Sequence, residues 1–264
     1  MTAPPAPPAP PAPQLLPMEE ADLEEAARVE IWGNPDDDMQ KIIMERDRTP
    51  AGLAKLVERR RKIFRDEPIT TWLKVVDPTT GAIMAWATWY HYPALTEEEL
   101  ARGPEVGEWP LPQWYRPFME YRYSVMKGRS HYLLGMIVTA TEYRRRGAAG
   151  MLLRWGIEKA DEAGVEVYLE ASEAGRPFYR KFGFRELKVM EFDMSQLGYE
   201  GVDTHTCIQL AYWLLSNWVD PRQKRYEAKL LWTPKMVTPR ELTLNKRMSI
   251  RYCATEDQRD RGVT

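Results

Sequence analysis

The sequence has little cysteine and no long apolar run. Its 264 residues include two cysteines, which is too few for a disulfide framework or a cysteine-based metal site. No stretch approaches the roughly 20 apolar residues that cross a bilayer, and the N-terminus carries proline and alanine where a signal peptide would need leucine. These absences predict a protein of the cytoplasm, with the nucleus as the alternative, and no membrane partner.

The sequence also lacks a charge bias. It has 37 basic and 39 acidic residues, a formal net charge of -2, so no long-range field attracts it to nucleic acid. Nucleic acid is therefore not a predicted partner, and any charged ligand must be met by a local patch. The acidic run at residues 36–38 is interpreted as the solvated start of a helix over residues 39–44, because acidic side chains favour helix N-termini. No metal is predicted.

Composition divides the chain into three parts. Residues 1–14 are rich in proline and alanine, which form no packed core, and are expected to be a disordered tail. Residues 15–210 carry the regular apolar patterns of one domain. Residues 211–264 include Trp213 and Trp218 and are too apolar for a simple tail. We expect this extension to pack on the domain or on a second subunit, and the latter would make a homodimer.

Local signals predict the first elements of the domain. Apolar residues recur at helical spacing from Leu23 up to Gly33, and Thr49-Pro50 is a cap followed by a proline suited to the first turn of a helix. Apolar runs at residues 70–76 and 82–90 flank a turn-forming segment and predict two antiparallel strands. The segment 92–112 that follows is expected to be a lid or substrate-side insertion.

A strand, a basic loop and a helix then follow in order. Residues 131–139 form an apolar run of strand length, and residues 144–150 read Arg-Arg-Arg-Gly-Ala-Ala-Gly before a helix-patterned segment that ends near Gly164. The first turn of a helix has unpaired N–H groups and a partial positive charge. Gly147 and Gly150 leave room for an anion, and the arginines add charge. The sequence therefore predicts a phosphate site; an arginine run without this context would indicate only a solvated face.

Two motifs together resemble one family. Arg144-x-x-Gly147-x-Ala149 is similar to the Gln/Arg-x-x-Gly-x-Gly/Ala signature of the GNAT superfamily of acyl-CoA-dependent N-acyltransferases. Further along, a strand at residues 165–170 leads to a short segment with Tyr179 and then Gly183-Phe184, which resembles the second signature of that family. The resemblance covers residues 15–210. It implies an α/β (α+β) fold with a mixed, mostly antiparallel sheet flanked by helices.

The resemblance also implies a binding site for acetyl-CoA as the co-substrate. In the family the fourth and fifth strands splay apart, so that backbone amides of the fourth strand reach the pantetheine arm and the thioester carbonyl. The implied binding residues are Ile137, Val138, Thr139, Arg144, Arg145, Arg146, Gly147, Ala148, Ala149, Gly150, Ser172 and Tyr179. Two departures concern this site: Thr141 replaces a common proline, and Ser172 stands where asparagine is frequent.

The implied reaction is direct attack of a primary amine on the thioester, without a covalent enzyme intermediate. Tyr179 matches a tyrosine that protonates the departing thiolate, and packing against coenzyme A is its alternative role. Glu170 is the first candidate for the general base, with His91 and His131 as weaker ones. The acceptor is a small-molecule or protein amine. A non-catalytic acyl-CoA-binding module is the alternative function.

Overall fold

The computed structural model describes residues 11–33, 48–103, 112–193 and 204–212. The strands in these ranges are β1 (Gln14–Pro17), β2 (Thr70–Val76), β3 (Ile83–Tyr92), β4 (His131–Thr139), β5 (Glu166–Ser172), β6 (Arg185–Asp193) and β7 (Thr204–Tyr212). The helices are α1 (Leu23–Gly33), α2 (Pro50–Asp66), α3 (Glu97–Arg102), α4 (Pro112–Met126), α5 (Ala148–Ala163) and α6 (Arg176–Arg180). The first ten residues of the predicted tail, the helix predicted at residues 39–44 and the extension beyond residue 212 lie outside the described residues.

The strands form a single sheet in the order β1-β2-β3-β4-β5-β7-β6. Neighbouring strands are antiparallel except β4 and β5, which are parallel. The predicted mixed, mostly antiparallel sheet with flanking helices is confirmed. The sheet begins at Gln14 and ends at Tyr212, one residue before and two residues after the predicted range of 15–210.

Helices α1 and α2 cover one face of the sheet. The predicted cap is present, because Thr49 Oγ1 accepts a hydrogen bond of 3.0 Å from the Gly52 amide, which stabilises a helix by about 1 kcal/mol. Arg60 of α2 donates to the buried Glu30 of α1, with 2.9 Å between Nε and Oε2. Beneath them Trp86 Nε1 donates to the Ala26 carbonyl at 2.9 Å. These contacts fix α1 against the centre of the sheet.

Helix α5 lies on the opposite face and buries Leu152 and Leu153 completely. Its closest approach is at Gly156, where a Cβ atom would come within 2.4 Å of three atoms of the Trp89 indole. The helix ends at Gly164, whose φ of 68° is the left-handed conformation expected of a C-terminal cap. The close packing at Gly156 sets the position of the N-terminus of α5 relative to β4.

Helix α4 covers the end of the sheet that α1 and α2 leave open. Its Met126 packs with Tyr90, Tyr92, Leu133 and Tyr168 in a separate buried cluster. The preceding helix α3 lies within the predicted lid segment, and Tyr123 of α4 donates to the Leu100 carbonyl. Helix α4 thus makes core contacts. No helix in the ranges described above is long and apolar enough to cross a membrane.

Candidate functional site

Strands β4 and β5 separate to form a fork. Their parallel pairing covers only His131 to Leu134 on β4 and Glu166 to Leu169 on β5, although β4 continues to Thr139 and β5 to Ser172. Beyond the last pair, Leu134 and Leu169, no described strand bonds to the facing edges of β4 and β5. This is the splay that the resemblance implies, and it exposes backbone hydrogen-bonding groups of β4.

A bulge decides which amides of β4 face the fork. Thr88 pairs with Met136 and Trp89 with Leu134, so Gly135 is an extra residue on β4. After the bulge, the Ala140 amide donates to the Met84 carbonyl at 2.9 Å. Alternate residues of an antiparallel strand bond the same neighbour, so the Val138 N–H is directed to β3 and those of Ile137 and Thr139 toward the fork.

The loop between β4 and α5 has the backbone of an anion cradle. Arg145 and Gly147 have positive φ values of 63° and 89°, and α5 begins at Ala148. Among the described residues, no acceptor meets the N–H groups of residues 145–150. A Cβ atom on Gly147 would meet nothing within 4 Å, so the space beside these N–H groups is open.

The three arginines of this loop are used differently. Arg144 Nη2 donates to the Gly33 carbonyl at 2.6 Å, and Thr141 Oγ1 donates to the Trp32 carbonyl at 3.0 Å. Both bonds satisfy carbonyls at the C-terminus of α1 and tie that helix to the loop. Arg145 and Arg146 are exposed, and the Arg146 guanidinium carbon lies 5.1 Å from the centre of the Tyr143 ring.

A fourth arginine near the loop was not found by sequence reasoning. The Arg154 guanidinium packs over the Phe182 ring, 5.6 Å from its centre. A Cβ atom on Gly150 would lie 3.5 Å from Arg154 Nη2, so this charge stands beside the first turn of α5. The signal in the sequence is the four-residue spacing of Gly150 and Arg154. A helical side chain leans toward the turn N-terminal to it, so the side chain at i+4 lies beside residue i.

Ser172 and Tyr179 lie together where β5 ends. Ser172 Oγ accepts from the Gly175 amide at 3.3 Å, and a Cβ atom on Gly175 would lie 3.2 Å from Tyr179 Cε2. Tyr179 is buried against Phe178 and Phe184. Burial raises the pKa of its phenol, and its hydroxyl has no hydrogen-bond partner among the residues described. Tyr179 is thus a protonated donor on the α5 face of the sheet.

Glu170 lies one residue past the last β4–β5 pair. Its neighbours Leu169 and Ala171 pack toward α5, so by alternation Glu170 points to the other face, where Tyr168 packs beside α4. The side chain is half-buried, and Oε1 is sealed without a hydrogen-bond partner among the described residues. Burial raises the pKa of this carboxyl, and the positive charge of Arg122 opposes that rise. Glu170 and Tyr179 therefore flank the fork from opposite faces.

The two histidines lie at the paired end of the strands. His131 pairs with Glu166, three residues before the fork, and His91 pairs with Tyr132. His131 Nδ1 lies 2.8 Å from the Arg129 carbonyl, which it meets as a donor, and Nε2 is sealed. Neither residue joins a group of three or more potential metal ligands in the described part of the chain. Their position makes both less suited than Glu170 to act at the fork.

His131 predicts a pH dependence of stability. Burial lowers its pKa to about 4, so between pH 6.5 and 4 the unfolded chain binds a proton that the folded chain does not. The free energy of unfolding should therefore decrease as the pH is lowered across this window, and this group accounts for up to about 3 kcal/mol of the decrease. The free energy of unfolding, measured by urea denaturation from pH 7 to pH 4, should decrease less for His131→Phe than for the parent protein. An equal decrease for the two proteins would contradict the assignment to His131.

Known proteins share sequence or fold with this chain. Over 44 residues the chain is 41% identical to "Probable acyltransferase SID5" of Ajellomyces capsulatus, and the match spans 17% of this chain and 32% of that protein. A histone acetyltransferase HPA2 and related acetyltransferase from Corynebacterium glutamicum is 19% identical, with a TM-score of 0.46 over 76% of this chain and 95% of that one. The ribosomal-protein-S18-alanine N-acetyltransferase of Escherichia coli is 14% identical, with a TM-score of 0.42 over 75% and 92%.

A family model matches a larger part of the sequence. The match is to the Acetyltransferase (GNAT) family and covers residues 38–184. This range contains the fork between β4 and β5, the basic loop, α5 and the segment with Tyr179. The match and the architecture agree, and the chain belongs to the GNAT acetyltransferase family.

Proposed function

We propose that this protein is an acetyl-CoA-dependent N-acetyltransferase that acetylates a primary amine by direct attack. The observation that carries the proposal is a row of backbone N–H groups that have no acceptor among the described residues. It comprises those of Ile137 and Thr139 in the fork and those of residues 145–150 in the loop. Such a row suits a ligand with an amide-bearing arm at one end and phosphates at the other.

The residues of this row fit coenzyme A. The open space at Gly147 and the first turn of α5 suit a pyrophosphate, and the exposed guanidinium groups of Arg145, Arg146 and Arg154 suit further phosphate oxygens. Arg144 supports the loop through its bond to Gly33. The proposed contacts are the backbone of Ile137, Thr139, Arg144, Arg145, Arg146, Gly147, Ala148, Ala149 and Gly150, with Val138, Ser172 and Tyr179 as walls of the cleft.

Each side of the fork then has one chemical task. Bound acetyl-CoA supplies the acetyl group and a thiolate leaving group. The Glu170 carboxylate accepts the proton that the amine loses as its nitrogen bonds the acetyl carbon and the carbon–sulfur bond breaks. The Ile137 and Thr139 N–H groups donate to the carbonyl oxygen as negative charge develops there. Tyr179 Oη gives its proton to the thiolate sulfur and regains one from solvent.

The proposed acceptor is a primary amine, carried by a small molecule or by a protein. Family members act on amines of both kinds, and α4 bounds the face beside Glu170. The homodimer expected from the C-terminal extension stays a prediction, because residues 213–264 lie outside the described ranges.

Calorimetry with acetyl-CoA, followed by a thiol-release screen of amine acceptors, tests the proposal. We expect binding in the micromolar range, a rise in melting temperature with ligand concentration, and thiol release that depends on the amine. Binding without thiol release for peptide, polyamine and amino-sugar acceptors would favour the non-catalytic acyl-CoA-binding module. Absence of binding at millimolar acetyl-CoA would refute both.

Tyr179→Phe should slow turnover without weakening coenzyme A binding. The substitution keeps the ring that packs on Phe178 and Phe184 and removes only the proton donor. We expect the maximal rate to fall roughly 10²-fold, the low end of general acid catalysis, and the deficit to shrink with a thioester of a more acidic thiol. Tyr132→Phe on β4 is the matched control. A parental rate for Tyr179→Phe would leave Tyr179 as a wall of the cleft.

A further inference from the structure

Two arginines of the proposed coenzyme A site rest on aromatic rings that belong to different segments. The Arg146 guanidinium lies over the Tyr143 ring, in the turn between β4 and α5. The Arg154 guanidinium lies over the Phe182 ring, which follows α6. A guanidinium on the face of a ring keeps its N–H edges directed outward, where they can bind a phosphate. The two charges are therefore held in place by different parts of the fold.

Arg154 stands at the end of the row of backbone N–H groups. The row begins with Ile137 and Thr139 in the fork and ends with Gly150 in the first turn of α5. A Cβ atom on Gly150 would lie 3.3 Å from Phe182 Cζ and 3.5 Å from Arg154 Nη2. The ring and the guanidinium thus both reach the first turn, because Gly150 has no side chain. A ligand whose arm starts in the fork meets Arg154 last.

The charge of Arg154 is not used within the part of the protein that the structure describes. The side chain is exposed, and no hydrogen bond or ion pair joins it to a described residue. The neighbouring arginines of α6 differ, because Arg176 and Arg180 both pair with Glu186. Arg154 therefore combines a fixed position with N–H groups that remain for a ligand.

We propose that Arg154, held by Phe182, binds the ribose 3′-phosphate of coenzyme A and so selects the acyl donor at its adenosine end. The inference rests on the proposed function, in which the N–H groups of residues 145–150 bind the pyrophosphate. The 3′-phosphate is the remaining charged group of coenzyme A. It carries nearly two negative charges, and an arginine can bind it through two parallel N–H bonds. Acyl groups carried on a protein-bound phosphopantetheine arm lack this phosphate and are excluded as good donors.

The test is calorimetry with coenzyme A and with 3′-dephospho-coenzyme A, for the parent protein and Arg154→Gln. Low ionic strength is used because salt screens an exposed pair. The parent should bind coenzyme A about 10-fold more tightly, the low end for a hydrogen bond to a charged group, since the site is exposed. Arg154→Gln should bind both ligands with the affinity that the parent has for 3′-dephospho-coenzyme A.

Arg146→Gln is the matched control, because it removes the other arginine that rests on a ring. It should weaken both ligands by the same factor and keep the preference for coenzyme A. Phe182→Leu should reduce the preference, and adding it to Arg154→Gln should reduce it no further. A preference that survives Arg154→Gln, or one that disappears with Arg146→Gln instead, would overturn the assignment.

Kinetics with the acetyl thioester of 3′-dephospho-coenzyme A give a second readout. The 3′-phosphate lies far from the reacting atoms, so the parent should show a raised KM and an unchanged kcat with this donor. Equal affinity of the parent for coenzyme A and 3′-dephospho-coenzyme A would refute the inference and leave the proposed function in place. Absence of binding of either ligand to the parent would refute both.

Discussion

Gly147→Glu is expected to abolish coenzyme A binding while the fold survives. The substitution puts a negative side chain into the open space beside the unpaired N–H groups of residues 145–150, where the phosphates are proposed to lie. Like charges in contact cost several kcal/mol, so the affinity measured by calorimetry should fall by more than about 100-fold. The side chain points into open space, so no core contact is lost.

Gly164→Glu provides a matched control at the other end of the same helix. Gly164 also has a positive φ, 68°, and a Cβ atom there would also meet nothing within 4 Å. Both variants share the backbone strain of a side chain at positive φ, about 1–2 kcal/mol. We therefore expect similar losses of melting temperature from both and a loss of coenzyme A binding from Gly147→Glu alone. Retained binding would mean that the phosphates bind elsewhere.

Glu170→Gln should remove the general base and leave the cofactor site intact. Glutamine has nearly the same shape but cannot accept the amine proton, so kcat/KM should fall by roughly 10³-fold, within the usual range for general base catalysis. The acid limb of the parental profile should disappear as well. Its sign follows from the raised pKa of Glu170: activity is present above that pKa and is lost as the pH falls through it.

Two measurements separate this base from its alternatives. Coenzyme A affinity should be unchanged in Glu170→Gln, since Glu170 points to the face opposite α5. His91→Gln, at the paired end of β3, should retain the parental rate. A Glu170→Gln enzyme with a normal rate and a normal acid limb would instead indicate that solvent, or a residue outside the described ranges, supplies the base.

The elements with strong local signals could be predicted from the sequence. The Thr49 cap, the strand at 70–76 and the glycine that ends α5 each depend on residues within a few positions of one another, and the structure places them as predicted. The loop at residues 144–150 belongs to the same class. Its backbone geometry follows from small residues at the start of a helix.

The contacts that assemble the site from distant segments could not be predicted. Arg122 of α4 is buried over the Tyr92 ring of β3, and an arginine among aromatic residues gives no sign of its burial. The bond from Arg144 to Gly33 joins residues 111 positions apart. An arginine run predicts positive charge but not which guanidinium turns inward to a carbonyl, because that depends on where α1 ends.

The bulge at Gly135 sets which face of the sheet each later residue of β4 meets. Before it, Tyr132 and Leu134 face α5; after it, Met136 and Val138 face α1 and α2, so the alternation is inverted at one point. If Gly135 instead took a regular place opposite Thr88, every later residue would change face, turning Ile137 away from α5 and aiming its N–H at β3. The bulge therefore determines which residues of β4 offer their N–H groups to a ligand: Ile137 and Thr139 with it, Met136 and Val138 without it.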